Sequence, residues 1–270
     1  MMFVSFNVNS IRTRLHQLEA LIESHNPDFI GLQETKVRDE EFPVEAIREL
    51  GYHVQFHGQK THYGVALLSR LEPDQVVKGY AGDDESAQRR LITGQFTVNG
   101  QKLTVINGYF PQGESRDHPI KFPAKEKFYA DLMAYLDDLK AQDSHVVIMG
   151  DMNIAPTDQD VGIGADNAKR WLRAGKCAIL PEEREWLSQV AGRGYTDVFR
   201  HLHPEESQTY SWFDYRSKGF DREPKRGLRI DLIMANESLL PKAREAGVSY
   251  TFRAMERPSD HCPVWATFEL

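Results

Sequence analysis

The 270 residues, 40% hydrophobic and 27% charged, suffice for one large buried core and exclude a largely disordered chain. A formal net charge of -7 argues against a sequence-independent DNA coat protein, yet leaves room for an enzyme that gathers carboxylates around a metal. No apolar run approaches the ~20 residues of a membrane helix, and Cys177 and Cys262 stand far apart, outside any metal-type spacing. The opening MMFVSFNVNS lacks a signal-peptide pattern, so the expectation is a reduced, cytoplasmic protein with a single domain over 1–270.

In chain order, an apolar β-type run at 3–8 comes first and carries Asn7 and Asn9 at its end. An amphipathic stripe of Leu15, Leu18, Leu21 and Ile22 predicts a helix that stops before Pro27. The run at 29–33 leads into Glu34, a further run covers 65–69, and the run at 103–109 closes on Tyr109. Phe128, Leu132, Leu136 and Leu139 mark a longer helix. The run at 146–149 precedes Asp151 and Asn153, and Pro181 with Glu182, Glu183 and Glu185 predicts a helix start. Asp231 lies within the run at 230–235, and Asp260 and His261 precede the last run at 264–268. Several runs are almost wholly apolar, as in strands covered on both faces, and helices alternate with them. That pattern predicts sheets with helices outside, and two packed sheets suit it better than one parallel sheet.

Carboxylate, amide or hydroxyl groups thus stand at or just past the ends of most runs. Singly, each has an ordinary explanation as a turn or cap residue. Together they are the inventory for phosphoester hydrolysis: hard oxygen ligands for a divalent cation, a base for water, and donors for phosphoryl oxygens. Basic residues cluster at 169–176 and 216–229, where a solvated face is the bland reading and a phosphate grip the functional one.

The motifs FNVNSIR, LQETK, INGYFPQG, GDMNIAPTD, RGLRIDLIMA and SDHCPVWATF, in this order, resemble the endonuclease/exonuclease/phosphatase superfamily, and the stretches KRWLRAGKC and YSWFDYRSKGFD resemble its exonuclease III branch. The resemblance implies a four-layer α/β sandwich, two packed mixed β-sheets flanked by helices. It implies a Mg²⁺-dependent DNA repair enzyme in which Mn²⁺ can substitute. Its activities would be 3′-to-5′ exonuclease, abasic-site endonuclease and 3′-end cleaning on double-stranded DNA, with no membrane partner and a monomeric state. Glu34 matches the principal metal ligand, and Asn7, Asp151, Asn153, Asp260 and His261 lie around the metal. Tyr109, Asp151, Asn153, Asp231 and His261 match catalytic positions. Asp231 would orient the imidazole of His261, and either Asp151 or His261 would be the general base, with Asp151 preferred. Trp212 and Leu228 would line a pocket for an extruded abasic sugar, Gln112 and Phe213 would wedge into the duplex, and Lys121, Arg170, Lys176 and Arg216 would contact DNA. Asn9-Ser10 departs from the Asp-Gly of several relatives, and the 220–227 loop is slightly longer than usual.

Overall fold

A computed structural model describes residues 1–140 and 144–270. The first sheet holds six strands: β1 (Met2–Asn7), β2 (Phe29–Gln33), β3 (His53–His57), β4 (Val65–Ser69), β11 (Ala243–Val248) and β12 (Val264–Phe268), in the order β11-β12-β1-β2-β4-β3. The second holds β5 (Gln75–Lys78), β6 (Leu91–Val98), β7 (Gln101–Tyr109), β8 (His145–Asp151), β9 (Tyr195–Asp197) and β10 (Asp231–Asn236), in the order β5-β6-β7-β8-β10-β9. Each sheet contains one parallel pair, β1 with β2 and β7 with β8, among antiparallel neighbours. Both sheets are therefore mixed, as the resemblance implied.

Alternation within the strands builds the layers. Phe3, Phe29, Leu67, Val105, Met149 and Ile233 point between the sheets. Val4, Ile30, Ala66 and Leu68 point outward, under α1 (Ile11–His25), α2 (Val44–Glu49) and α7 (Tyr250–Arg253). On the far side, α3 (Lys121–Lys140) and α5 (Pro181–Ala191) cover Ile106, Ile148 and Met234. Strands buried on both faces explain the near-continuous apolar runs. Of the remaining helices, α6 (Val198–Leu202) packs on β11, β10 and β9, and α4 (Ala165–Arg173) carries Arg170 and Trp171. Among the described residues no helix is long and apolar enough to cross a membrane.

Polar contacts centred on Asn107 cross the inter-sheet core. Asn107 on β7 donates to the carbonyls of Leu32 (3.0 Å) and Ala66 (2.8 Å), and Gln33 donates to its Oδ1 at 2.7 Å. Gly31 makes room for it, since a Cβ there would stand 2.6 Å from Asn107 Oδ1.

The expected runs at 29–33, 65–69 and 264–268 match the observed bounds, those at 103–109 and 146–149 sit inside β7 and β8, and those at 3–8 and 230–235 are shifted by one residue; helix α1 ends as expected, with Asn26 in a left-handed conformation before Pro27. Strands β3, β5, β6, β9 and β11 were not anticipated. In β3, β5 and β11 polar side chains take the exposed positions and dilute the apolar signal, β6 is interrupted by Gly94 and Gln95, and β9 is only three residues long.

Candidate active site

Strand direction brings the polar residues to one rim. β1, β2, β7 and β8 end there with Asn7, Gln33, Tyr109 and Asp151, and Tyr109 is in register with Asp151. β10 runs the other way and starts there, so Asp231 also faces Asp151 across a strand pair. β12 is likewise antiparallel to β1, which puts Asp260 and His261, just before it, on the same rim. Six segments of the chain meet in this way, and Asn153 follows Asp151 with a positive φ of 53°.

The side chains form one connected network. Asn7 Nδ2 donates to Glu34 Oε1 (3.1 Å) and Asp151 Oδ2 (2.9 Å). The Asn153 backbone N–H donates to the other oxygen of Asp151 at 3.1 Å. His261 Nδ1 lies 2.8 Å from Asp231 Oδ2, and its Nε2 points to Asp151 at 3.7 Å. Lys36 Nζ bridges Glu34 Oε2 (2.8 Å) and Asn9 Oδ1 (2.6 Å), while Asn9 Nδ2 donates to Asp260 Oδ1.

Charge follows from this arrangement. Burial opposes a charged imidazole at His261, but Asp231 and Asp151 outweigh it and lift the pKa to about 10. Burial raises Asp151 to about 7, against the pull of His261. Glu34 is pushed up by burial and drawn down further by Lys36, so it stays ionised below the usual carboxylate value. Burial together with Glu34 holds the Tyr109 phenol well above its ordinary value, so it remains a proton donor.

The donor set fits a hard divalent cation. Asp151, Asp231 and His261 present ligand atoms within 4.8 Å of one another, but Nδ1 of His261 already holds Asp231 there. On the other side of the cleft Glu34 and Asp260 stand with Asp151 in one lining, beside Lys36 and His261, and these carboxylates could also hold such an ion. Asn7, expected beside the metal, turns its amide N–H groups to Glu34 and Asp151 while its oxygen accepts from the Asn9 N–H.

A cleft of about 190 Å³ joins Glu34, Tyr109, Asp151, Asn153, Asp260 and His261 to Gln112, Trp212 and Leu228. It shares Gln112, Trp171 and Trp212 with a larger one of about 650 Å³, walled by Arg170, Lys176, Arg216, Arg222 and Arg226. Two expectations fail here. Phe213 is fully buried among Tyr210, Cys262, Phe220 and Tyr250, so it cannot wedge into a duplex. Arg229, in the second basic stretch, is buried and paired with Asp160 and Asp197. Lys121 is exposed but lines neither cleft, and its Nζ pairs with Glu114.

Sequence reasoning missed Arg90, whose buried guanidinium lies 4.1 Å from the Tyr63 ring and 4.6 Å from the Tyr109 ring and donates to the Tyr109 carbonyl. A charged residue directly before the apolar β6 run was the available signal. It also missed Lys36 as the counterion of Glu34, and Trp171, over which Lys176 Nζ sits at 3.8 Å.

Residues 4–261 match the model of the Endonuclease/Exonuclease/phosphatase family. Exodeoxyribonuclease III of Haemophilus influenzae is 55% identical over the whole of both chains, and an exodeoxyribonuclease of Bacillus subtilis is 30% identical over 98% of both. Among solved structures, the 3′ phosphatase NExo from Neisseria, bound to a product DNA hairpin, superposes with a TM-score of 0.90 at 37% identity and full coverage of both chains. An AP endonuclease from Archaeoglobus fulgidus does so with 0.90 at 34%, again over both full chains. Sequence likeness across nearly all of the chain and a shared two-sheet architecture lead to one conclusion: the protein belongs to the endonuclease/exonuclease/phosphatase family.

Proposed function

We propose that the chain is a Mg²⁺-dependent DNA repair phosphodiesterase, acting on duplex DNA as a 3′-to-5′ exonuclease, an abasic-site endonuclease and a 3′-end-cleaning enzyme. The observation that carries the reading is the wall that the two clefts share at Gln112, Trp171 and Trp212. A carboxylate–imidazole cluster in one cleft and a wall of arginines in the other suit a phosphodiester within a long polyanion.

Asp151 serves as general base. Its two oxygens are fixed by Asn7 and the Asn153 N–H, and a pKa near 7 is matched to proton transfer at neutral pH. His261, held by Asp231 and charged below about pH 10, donates to the phosphoryl oxygens; an imidazole so protonated is a poor base. Tyr109 donates its phenolic proton to the same group of oxygens. Mg²⁺ held by Glu34, with Asp260 beside it, would polarise the phosphoryl oxygen and offset charge on the leaving 3′-oxygen, and Mn²⁺ would substitute. Trp212 and Leu228 receive a sugar that lacks its base, whose extrusion gives up no stacking or pairing. The arginine wall, with Lys176, grips backbone phosphates.

The test is an end-labelled duplex with one abasic analogue, incubated with Mg²⁺ or with chelator. Incision beside the lesion only with Mg²⁺ supports the reading. Binding without cleavage, or turnover of an inositol phosphate in its place, overturns it. We further read the protein as a cytoplasmic monomer. Two buried free thiols suit a reducing compartment, and sedimentation across a concentration series checks the stoichiometry.

A further inference from the structure

Asp260 has both oxygens engaged. Asn9 Nδ2 donates to Oδ1 at 3.0 Å, and Trp212 Nε1 donates to Oδ2 at 3.0 Å. The indole that makes the second bond also borders both clefts, so the ring a nucleotide would meet is tied directly to a carboxylate of the cation site. The tie is side chain to side chain on a fixed frame. Backbone pairing holds the two segments in register: Phe213 N–H donates to the Asp260 carbonyl at 2.9 Å and Cys262 N–H to the Ser211 carbonyl at 2.7 Å. A turn of the indole would therefore be about its side-chain torsions, with the main chain in place. On the other side, Asn9 and Lys36 carry the connection on to Glu34.

We infer that Trp212 is a latch which couples occupancy of the pocket to the cation site by holding one oxygen of Asp260 until a ligand moves the ring. The inference rests on the metal-site reading above. A lone pair committed to an indole N–H is not offered to a cation, and a hydrogen bond to a carboxylate is among the stronger kinds. Filling the pocket and turning the ring would return that oxygen. By linkage, a ligand that releases Asp260 must tighten cation binding, and a bound cation must favour the ligand to the same degree. The cation site would thus reach full strength only with substrate in place.

Mn²⁺ binding, followed by its paramagnetic resonance signal on full-length protein without DNA, tests the latch apart from turnover. Trp212→Phe keeps an apolar ring and removes the N–H. It should bind Mn²⁺ about threefold to tenfold more tightly than the wild type, the gain being limited because water replaces part of the lost bond. Asp260→Asn in the same background should abolish the gain. A duplex with an uncleavable abasic analogue should tighten Mn²⁺ binding to the wild type more than to Trp212→Phe. Should that variant fail to fold, Trp212→Met poses the same question. Equal or weaker Mn²⁺ binding by the folded variant overturns the latch. If Glu34→Ala leaves Mn²⁺ binding unchanged, the metal-site reading itself falls, and the two failures are distinct.

Discussion

Lys125 Nζ stands 2.5 Å from Glu183 Oε1, with both side chains fully buried beneath the loop that carries Asn153. The same ammonium donates to the Asn153 carbonyl at 2.8 Å, and Glu183 accepts from the Leu180 N–H at the start of α5. Removing one partner leaves an uncompensated buried charge. Lys125→Met is expected to cost about 3–5 kcal/mol in denaturant unfolding. The double variant Lys125→Met/Glu183→Leu should recover part of that loss, and strict additivity of the two single changes would show the pair to be uncoupled.

Glu34→Ala should cripple cleavage at low Mg²⁺ and recover partly at high concentration, because a lost ligand chiefly weakens cation binding. A Mg²⁺ titration of duplex incision reads this directly. No rescue at any concentration would remove Glu34 from the ligand role.

His261→Asn should lower the rate by ~10²–10³ or more, the usual consequence of losing a main charge-stabilising donor. Single-turnover kinetics separate this from binding.

The same histidine sets a pH signature. Its folded pKa of about 10 exceeds its ordinary 6.5, so it stabilises the metal-free protein fully below about 6.5, and that contribution is lost as pH rises through about 10. Cleavage that needs the imidazolium should fall on the same alkaline limb. Asp231→Asn takes away the largest attraction on the imidazolium, so the limb should move to lower pH. An unmoved limb in the kcat/KM profile would assign it to another group.

Arg216→Ala and Arg226→Ala, both in the wall of the larger cleft, should weaken duplex binding at every sequence. Each should lower the slope of log affinity against log salt by about 1 if its guanidinium meets a phosphate. Phe213→Ala should instead destabilise the fold by about 3–5 kcal/mol, as for a large buried aromatic. Titrations at several salt concentrations, beside thermal melts, tell the two effects apart.

The rim residues were legible because chemistry sits where apolar strands stop, and parallel and antiparallel strands end or start on one edge together. The two corrections at Phe213 and Arg229 were legible as well, by the period of two in extended chain. If Trp212 faces the cleft, Phe213 must face the core; if Leu228 and Ile230 face it, Arg229 must not. What the sequence could not provide was orientation within the network. The amide of Asn7 points its donors at Glu34 and Asp151, and only the neighbouring Asn9 N–H decides that. Arg90 was hidden for a similar reason, since its partners Tyr63 and Tyr109 come from different strand ends.

The amide of Asn107, stitched to Leu32 and Ala66 across the middle of the molecule, bears on how such a protein handles a flexible polymer. Glu34 is borne by one sheet and Asp151 by the other, and sliding one past the other would tear those bonds out of a dry interior. Those bonds oppose movement of one sheet against the other. On the proposed reading, bending or unstacking during recognition would fall to the nucleic acid, and a pliable lesion would be favoured over intact duplex by its own softness.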